Sequence, residues 1–214
     1  DGVRVGMLLC SPAGGDLLFD ESLPQQGAGF ATKIWNAFRL VKNWEVDSNI
    51  EQPEHSKLAI EWFRNKLGEV VNTLDEQFTQ FRISEALMTV YTTGRDEFSG
   101  WLLEIVKPAY QKPIDVKTYA EVVELFDQML RLMHPFTPFI TEEIWQMLTD
   151  RKPGESIMIS QIPKVEKYDS ELIAAFENVK EAISGIRKIR TDKNIAQKET
   201  LELKVQQEIG RAHV

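Results

Sequence analysis

The chain has 214 residues, 43% of them hydrophobic and 27% charged, with a formal net charge of −8. That is enough apolar material for a real core and too much for a disordered chain. The negative balance argues against a protein that grips nucleic acid by bulk electrostatics, although a local basic stripe on an acidic chain remains possible. A single cysteine, Cys10, excludes an internal disulfide and a cysteine-rich zinc site, and fits a reducing, cytoplasmic setting. No apolar run approaches the roughly 18 residues that span a bilayer, so no membrane partner is expected. The first residues, Asp1-Gly2-Val3-Arg4-Val5-Gly6-Met7, carry neither an initiator methionine nor a signal-peptide pattern and read as internal to a longer protein.

Helical periodicity dominates from there on. Phe30, Ile34, Phe38 and Val41 recur at spacings of three and four and share one helix face. Ser22-Leu23-Pro24-Gln25 upstream resembles a capping box with an early proline. Asn43 to Ser56 is expected as the longest connection within the bundle. Ile60, Phe63, Leu67, Val70, Leu74 and Phe78 form a second stripe. Ile83, Leu87, Val90, Phe98, Leu102 and Ile105 form a third, interrupted by Gly94 and Gly100 and stopped by Pro108. Asp115 is placed to cap a fourth helix carrying Val122, Leu125, Met129 and Leu132, which ends near His134-Pro135. Thr137-Pro138 offers a cap and first-turn proline for a fifth helix with Ile140, Ile144 and Leu148 inward.

Beyond Asp150 the texture changes. Arg151-Lys152-Pro153-Gly154 is a turn, Ser156 to Ser160 reads as a short extended segment, and Pro163 to Asp169 as a linker. Asp169 caps a helix running through Ile173, Phe176, Val179, Ile183, Ile186 and Ile189. Leu201-Glu202-Leu203-Lys204-Val205 alternates like a strand. A helix followed by one strand is not a whole domain. The expected fold class is therefore mainly α: an antiparallel helix bundle followed by a small, incomplete α+β C-terminal segment. Residues 210–214 fit no pattern and read as a remnant.

Catalytic signatures are absent from the sequence. There is no phosphate loop of either common kind, and Ser11-Pro12-Ala13-Gly14-Gly15-Asp16 reads as a turn. His55, His134 and His213 lack ligand spacing, so no metal or cofactor is expected in these residues. His134 reads as a histidine at a helix C-terminus facing the dipole, and Glu142-Glu143 as first-turn acids. A di-metal bundle needs paired Glu-x-x-His motifs, and none occurs.

The candidate surface is the first long helix. Lys33, Asn36, Arg39 and Asn43 occupy the side away from Phe30, Ile34, Phe38 and Val41, flanked by Leu40 and Trp44. Lys and Arg neutralise phosphates, Asn reads base edges, and a flat or apolar side chain carries an unstacked base. The same residues also fit a solvated face, with Trp35 and Trp44 packed on neighbouring helices. Arg187, Lys188, Arg190 and Lys193 form a second basic cluster with the same two readings.

Several runs resemble one family. Ser11 to Asp20 resembles the segment of valyl-tRNA synthetases that joins the catalytic core to the helical domain. Lys33-Ile34-Trp35-Asn36-Ala37-Phe38-Arg39 resembles the start of their anticodon-binding bundle. Leu102 to Pro108 and His134 to Trp145 resemble later parts of it, and Ile183 to Ile195 the opening of the C-terminal domain. The resemblance implies a division into a connector (1–20), a helical anticodon-binding domain (21–165) and the truncated start of a C-terminal domain (166–209). It implies an aminoacyl-tRNA ligase as parent, using ATP with magnesium in a catalytic domain absent from these residues, so the fragment itself is expected to be inactive. The expected partner is a valine-specific tRNA, bound by a monomer. Lys33, Asn36 and Arg39 match positions that approach the anticodon in the family. The next position, aromatic in many relatives, is Leu40 here. An isoleucyl or leucyl relative, or a helical interaction scaffold that binds no RNA, are the alternatives.

Overall fold

The computed structural model describes residues 1–10, 20, 22–165, 167–196 and 198–202. Eight α-helices account for most of them: α1 (Gly2–Leu9), α2 (Ser22–Lys42), α3 (Glu54–Thr79), α4 (Ile83–Thr92), α5 (Leu103–Val106), α6 (Val116–Met133), α7 (Pro138–Leu148) and α8 (Ser170–Asp192). Strands β1 (Val46–Asp47) and β2 (Ile114–Asp115) form a two-residue parallel ladder. The chain divides into two compact units, residues 1–173 and 174–214.

In the first unit, helices joined by short connections pack around an aromatic centre. Phe98 lies between Phe63 and Phe126, with ring centroids 5.5 and 4.7 Å away. All three rings are completely buried. The stripes on α2 and α3 are buried as their spacing requires, Phe78 only partly. α1 packs on α2 by backbone proximity. A Cβ on Gly6 would stand 2.6 Å from the Pro24 nitrogen, so a larger residue would force the helices apart.

The third stripe is not interrupted at Gly94. The chain stays helical through a wider π-helical stretch, Thr93–Leu102, between α4 and α5. There the Ser99 hydroxyl donates to the Gly94 carbonyl at 2.8 Å, and the Met133 methyl occupies the room that Gly94 leaves by lacking a side chain. The extra residue per turn rotates the phase of the pattern. Leu103 and Val106 are therefore buried where Ile105 was expected to be, and Ile105 is only half-buried. Ile83, at the exposed start of α4, also faces partly outward.

Caps follow local chemistry, with corrections. Asp115 caps α6, its carboxylate accepting the Thr118 N–H at 2.7 Å, and Asp169 accepts the Glu171 and Leu172 amides. Ser22 is itself the first residue of α2; the acceptor of its amide is the Asp20 carboxylate, at 2.8 Å. Thr137 does not cap α7 with its side chain, because its hydroxyl turns back to the Met133 carbonyl. The Asp1 carboxylate takes the Phe139 and Ile140 amides instead, at 3.3 and 2.7 Å. A negative group at this end also suits the helix dipole.

Segment 151–169 is more structured than its composition predicts. Arg151 to Gly154 is a turn with Gly154 at φ +89°. Arg151 stacks on the Trp145 ring at 3.5 Å and bonds Asp127 at 2.8 Å. Ile157–Ile159 is one 3₁₀ turn and not an extended segment, because the Ser156 hydroxyl accepts the Met158 N–H. Val165, Tyr168 and Asp169 are held against α3: Asn65 accepts the Asp169 amide at 2.7 Å, and Val165 and Tyr168 cover Gly68.

α8 ends at Asp192, and in the turn that follows Asn194 takes φ +51° as the Ile195 N–H returns to the Arg190 carbonyl. Leu201 and Glu202 are irregular. The remainder of the expected strand, the turn over Ser11 to Asp16 and residues 210–214 lie outside the described residues.

Candidate nucleic-acid interface

Burial of Phe30, Ile34, Ala37, Phe38 and Val41 sets the rotation of α2. Side chains between those positions must then face outward. Asn36, Arg39, Leu40 and Asn43 are exposed, Leu40 at 38%, and Lys33 is half-buried a turn or more earlier. From Lys33 to Asn43 the face runs roughly 15 Å at the usual helical rise. The side chains of Lys33, Asn36, Arg39 and Asn43 make no hydrogen bond or ion pair among the described residues. Their donors are therefore available to a ligand. Arg39 and Lys42 also complement the negative end of the α2 dipole, a structural reason for basic residues there. Trp35 is half-buried with its ring 5.5 Å from that of Phe38, so it serves the packing of the helix.

Two grooves flank the end of α2, and Asn43 lines both. One runs against the end of α7 and includes Arg39, Lys42, Gln146 and Asp150. The other is walled by Leu40, Trp44 and Glu45 on one side and by Lys107, Tyr110 and Lys112 on the other. Sequence reading found the first wall and missed the second. The signal was present in Lys107-Pro108-Ala109-Tyr110-Gln111-Lys112-Pro113, a basic and aromatic run bracketed by prolines, of which only the helix-stopping role of Pro108 was evident.

The β1–β2 ladder brings these walls together. The Ile114 amide donates to the Glu45 carbonyl at 2.8 Å, and Val46 and Asp47 pair with Ile114 and Asp115. Asp115, at the end of the same ladder, is the buried cap of α6. The loop is thereby tied to the end of α2 on one side and to the bundle on the other. Two-residue strands give no periodic signal to read in advance.

The second basic cluster lies on α8 and differs in its engagement. The Arg190 guanidinium donates to the Ala196 and Glu199 carbonyls at 2.7 and 2.8 Å, closing the end of its own helix. Lys188 and Lys193 are exposed, as is Arg187, which has a partner of its own.

The polar residues singled out near α7 are structural. The His134 Nδ1 and Thr141 hydroxyl lie 2.8 Å apart, and that hydroxyl donates to the Thr137 carbonyl at 2.7 Å. The ring nitrogen is then the donor of the pair. Burial lowers the His134 pKa from its usual value, against the opposing pull of Glu142, so the ring is held neutral and not as a cation facing the dipole. Glu142 is beyond the first turn of α7 and accepts from Gln146, the Ser156 hydroxyl and the Ile157 amide, at 2.7, 2.7 and 3.1 Å. Desolvation raises its pKa, but these bonds and His134 outweigh it, and the net shift is downward. Among the described residues, no three His, Cys, Asp or Glu side chains are grouped to hold a metal, and no helix is long and apolar enough to cross a membrane.

Comparison with known proteins identifies the family of the chain. Residues 61–206 match the family described as the anticodon-binding domain of tRNA ligases. A valine–tRNA ligase of Parabacteroides distasonis is 53% identical over 96% of this chain and 24% of its own length. That of Phocaeicola vulgatus is 55% identical over 96% and 23%. A more distant one, of Fusobacterium nucleatum, is 32% identical over 92% and 23%. The chain thus spans about a quarter of the length of these curated relatives.

Proposed function

The chain belongs to the family of anticodon-binding domains of tRNA ligases, and from that premise we propose that it binds the anticodon arm of a tRNA as one part of a valine–tRNA ligase. The observation that carries the reading is the outward face of α2, where Asn36, Arg39 and Asn43 stand exposed without partners among the described residues. Lys and Arg hold phosphates along this face. Asn side chains, with a donor and an acceptor each, read the edges of splayed bases. Arg187, Lys188 and Lys193 are proposed as a secondary contact, with Arg190 shaping the helix end that presents them.

In the longer ligase, such contacts orient the tRNA so that its acceptor end reaches the catalytic site, so binding energy acts through positioning. Valine activation with ATP and magnesium, transfer to tRNA and editing of misacylated threonine belong, in this reading, to parts outside these 214 residues. The protein is proposed to work in the cytoplasm as a monomer. An interaction scaffold would expect a groove without a concentration of basic side chains, and the grooves at the end of α2 carry Arg39 and Lys42 in one and Lys107 and Lys112 in the other, which favours RNA.

The test is binding of the chain to an anticodon stem-loop with a valine anticodon, against one with an isoleucine anticodon, at two salt concentrations. Preference for the valine loop and weaker binding at higher salt are expected. Arg39→Ala is expected to weaken binding by about 1–3 kcal/mol. Preference for the isoleucine loop would reassign the ligase, and an unaltered affinity in Arg39→Ala would remove α2 as the site.

A further inference from the structure

We propose that Tyr110 is a stacking platform for one unpaired base of the RNA, an assignment that rests on the RNA-binding reading of α2 and extends its site across the neighbouring groove. Tyr110 is 89% exposed, so its ring contributes little to the core. Single exposed apolar residues are common and mean little by themselves. Three further observations set this one apart.

The first is the way the ring is held. Tyr110 sits in a turn closed by the Lys112 N–H donating to the Ala109 carbonyl at 2.9 Å. Gln111, the next residue, takes φ +58°, a conformation that residues with a side chain adopt infrequently. Such local strain persists only where the surroundings over-determine it. Here Pro108 and Pro113 restrict the backbone on both sides, and the Ile114–Glu45 bond anchors the C-terminal end. The second is what the groove offers beside the ring. Asn43 supplies amide donors and an acceptor, and Leu40 and Trp44 supply apolar surface. The third is charge. Lys107 and Lys112 flank the ring, with Lys107 also paired to Glu104 at 2.7 Å, while Glu45 lies in the groove wall. The lysines attract the strand, and the carboxylate disfavours a phosphate within the groove. A neutral base fits between them.

Stacking on an aromatic ring tolerates any base, because every base has a π-face. A Tyr ring has only two side-chain torsions to order on binding. Tyr110 thus adds affinity and holds a base in place, while Asn43 at the same groove can read an edge.

The experiment uses the same anticodon stem-loop with the fluorescent base 2-aminopurine placed at each unpaired loop position in turn. Binding to the unsubstituted chain is expected to quench one position. Tyr110→Ala should restore that signal and weaken binding by about 5- to 150-fold, the effect of losing one stacked base. Tyr110→Phe should retain both quenching and affinity. Phe81→Ala, at a ring 82% exposed elsewhere, should change neither. Thermal unfolding of all three variants should match the parent.

If Tyr110→Ala leaves affinity and quenching intact while Arg39→Ala weakens binding, the platform is overturned and the α2 site stands. If Tyr110→Phe loses as much as Tyr110→Ala, the hydroxyl and not the ring makes the contact, and stacking is overturned. If the unsubstituted chain binds no RNA, both readings fall together.

Discussion

The corner between α6 and α7 and the end of α2 are both rich in polar residues, and they use them in opposite ways. At the corner, His134, Thr137, Thr141 and Glu142 are all engaged with each other, with backbone carbonyls or with the Ser156–Ile157 segment. At the end of α2, Asn36, Arg39 and Asn43 have no partner among the described residues. Polar groups removed from water must find partners within the fold, so they become architecture. Polar groups left in water keep their bonding capacity for a ligand. The His134 to Trp145 run that carried much of the family resemblance is therefore a structural signature. The contact surface we propose lies elsewhere, on the outward face of α2.

Substitutions can sharpen this contrast. The largest effect is expected in the core that supports both regions. Phe98→Ala removes a fully buried ring from between Phe63 and Phe126 and should cost about 3–5 kcal/mol of stability in denaturant unfolding. Arg39→Ala should do the reverse: it should leave the unfolding midpoint unchanged and weaken RNA binding by about 1–3 kcal/mol. A stability loss in that variant would show that Arg39 belongs to the architecture. Asp115→Ala stands between the two, since it removes a buried cap at the ladder that positions the Tyr110 loop. Its expected cost is about 0.5–2 kcal/mol of stability, with weaker RNA binding as the loop loosens.

The smallest effect tests the corner by pH. The folded pKa of His134 lies below the ordinary 6.5, because burial disfavours the charged ring. Unfolded chains then bind more protons between the two values, so stability is full above about 6.5 and falls as the pH drops toward the folded value. Glu142, also shifted down, gives stability that is present above its ordinary 4.5 and lost below it, so it leaves the first window to His134. Thermal midpoints should decline as pH falls from about 7.5 to 5.5, and His134→Gln should flatten that slope. An equal slope in the variant would place the titrating group elsewhere.

Much of the bundle was legible in advance because helix formation is largely local. The spacing of Phe30, Ile34, Phe38 and Val41 set the buried face of α2, and by subtraction its outward face. Asp115 and Asp169 announced their helices because a short carboxylate just before a helical stripe has a close amide to accept. The π-helical stretch was not legible: its phase shift depends on Met133 packing against Gly94, a contact 39 residues away in sequence. Glu142 was misread for a similar reason, since its partners Ser156 and Ile157 lie beyond the end of its helix.

The sequence by itself determined that the protein is a helical bundle of the tRNA-ligase anticodon-binding family, and which side of α2, α3 and α6 turns inward, because both follow from local periodicity and recognisable runs. The stripe expected on α8 is for the most part not buried, with Val179 and Ile189 facing solvent. Only the tertiary structure decided which polar groups remain available and which residues share a groove. The Tyr110 loop reaches Asn43 through a ladder of two residues per strand, joining segments almost 70 positions apart. No local pattern encodes that pairing. It exists because the packed bundle brings the two backbones within hydrogen-bonding distance.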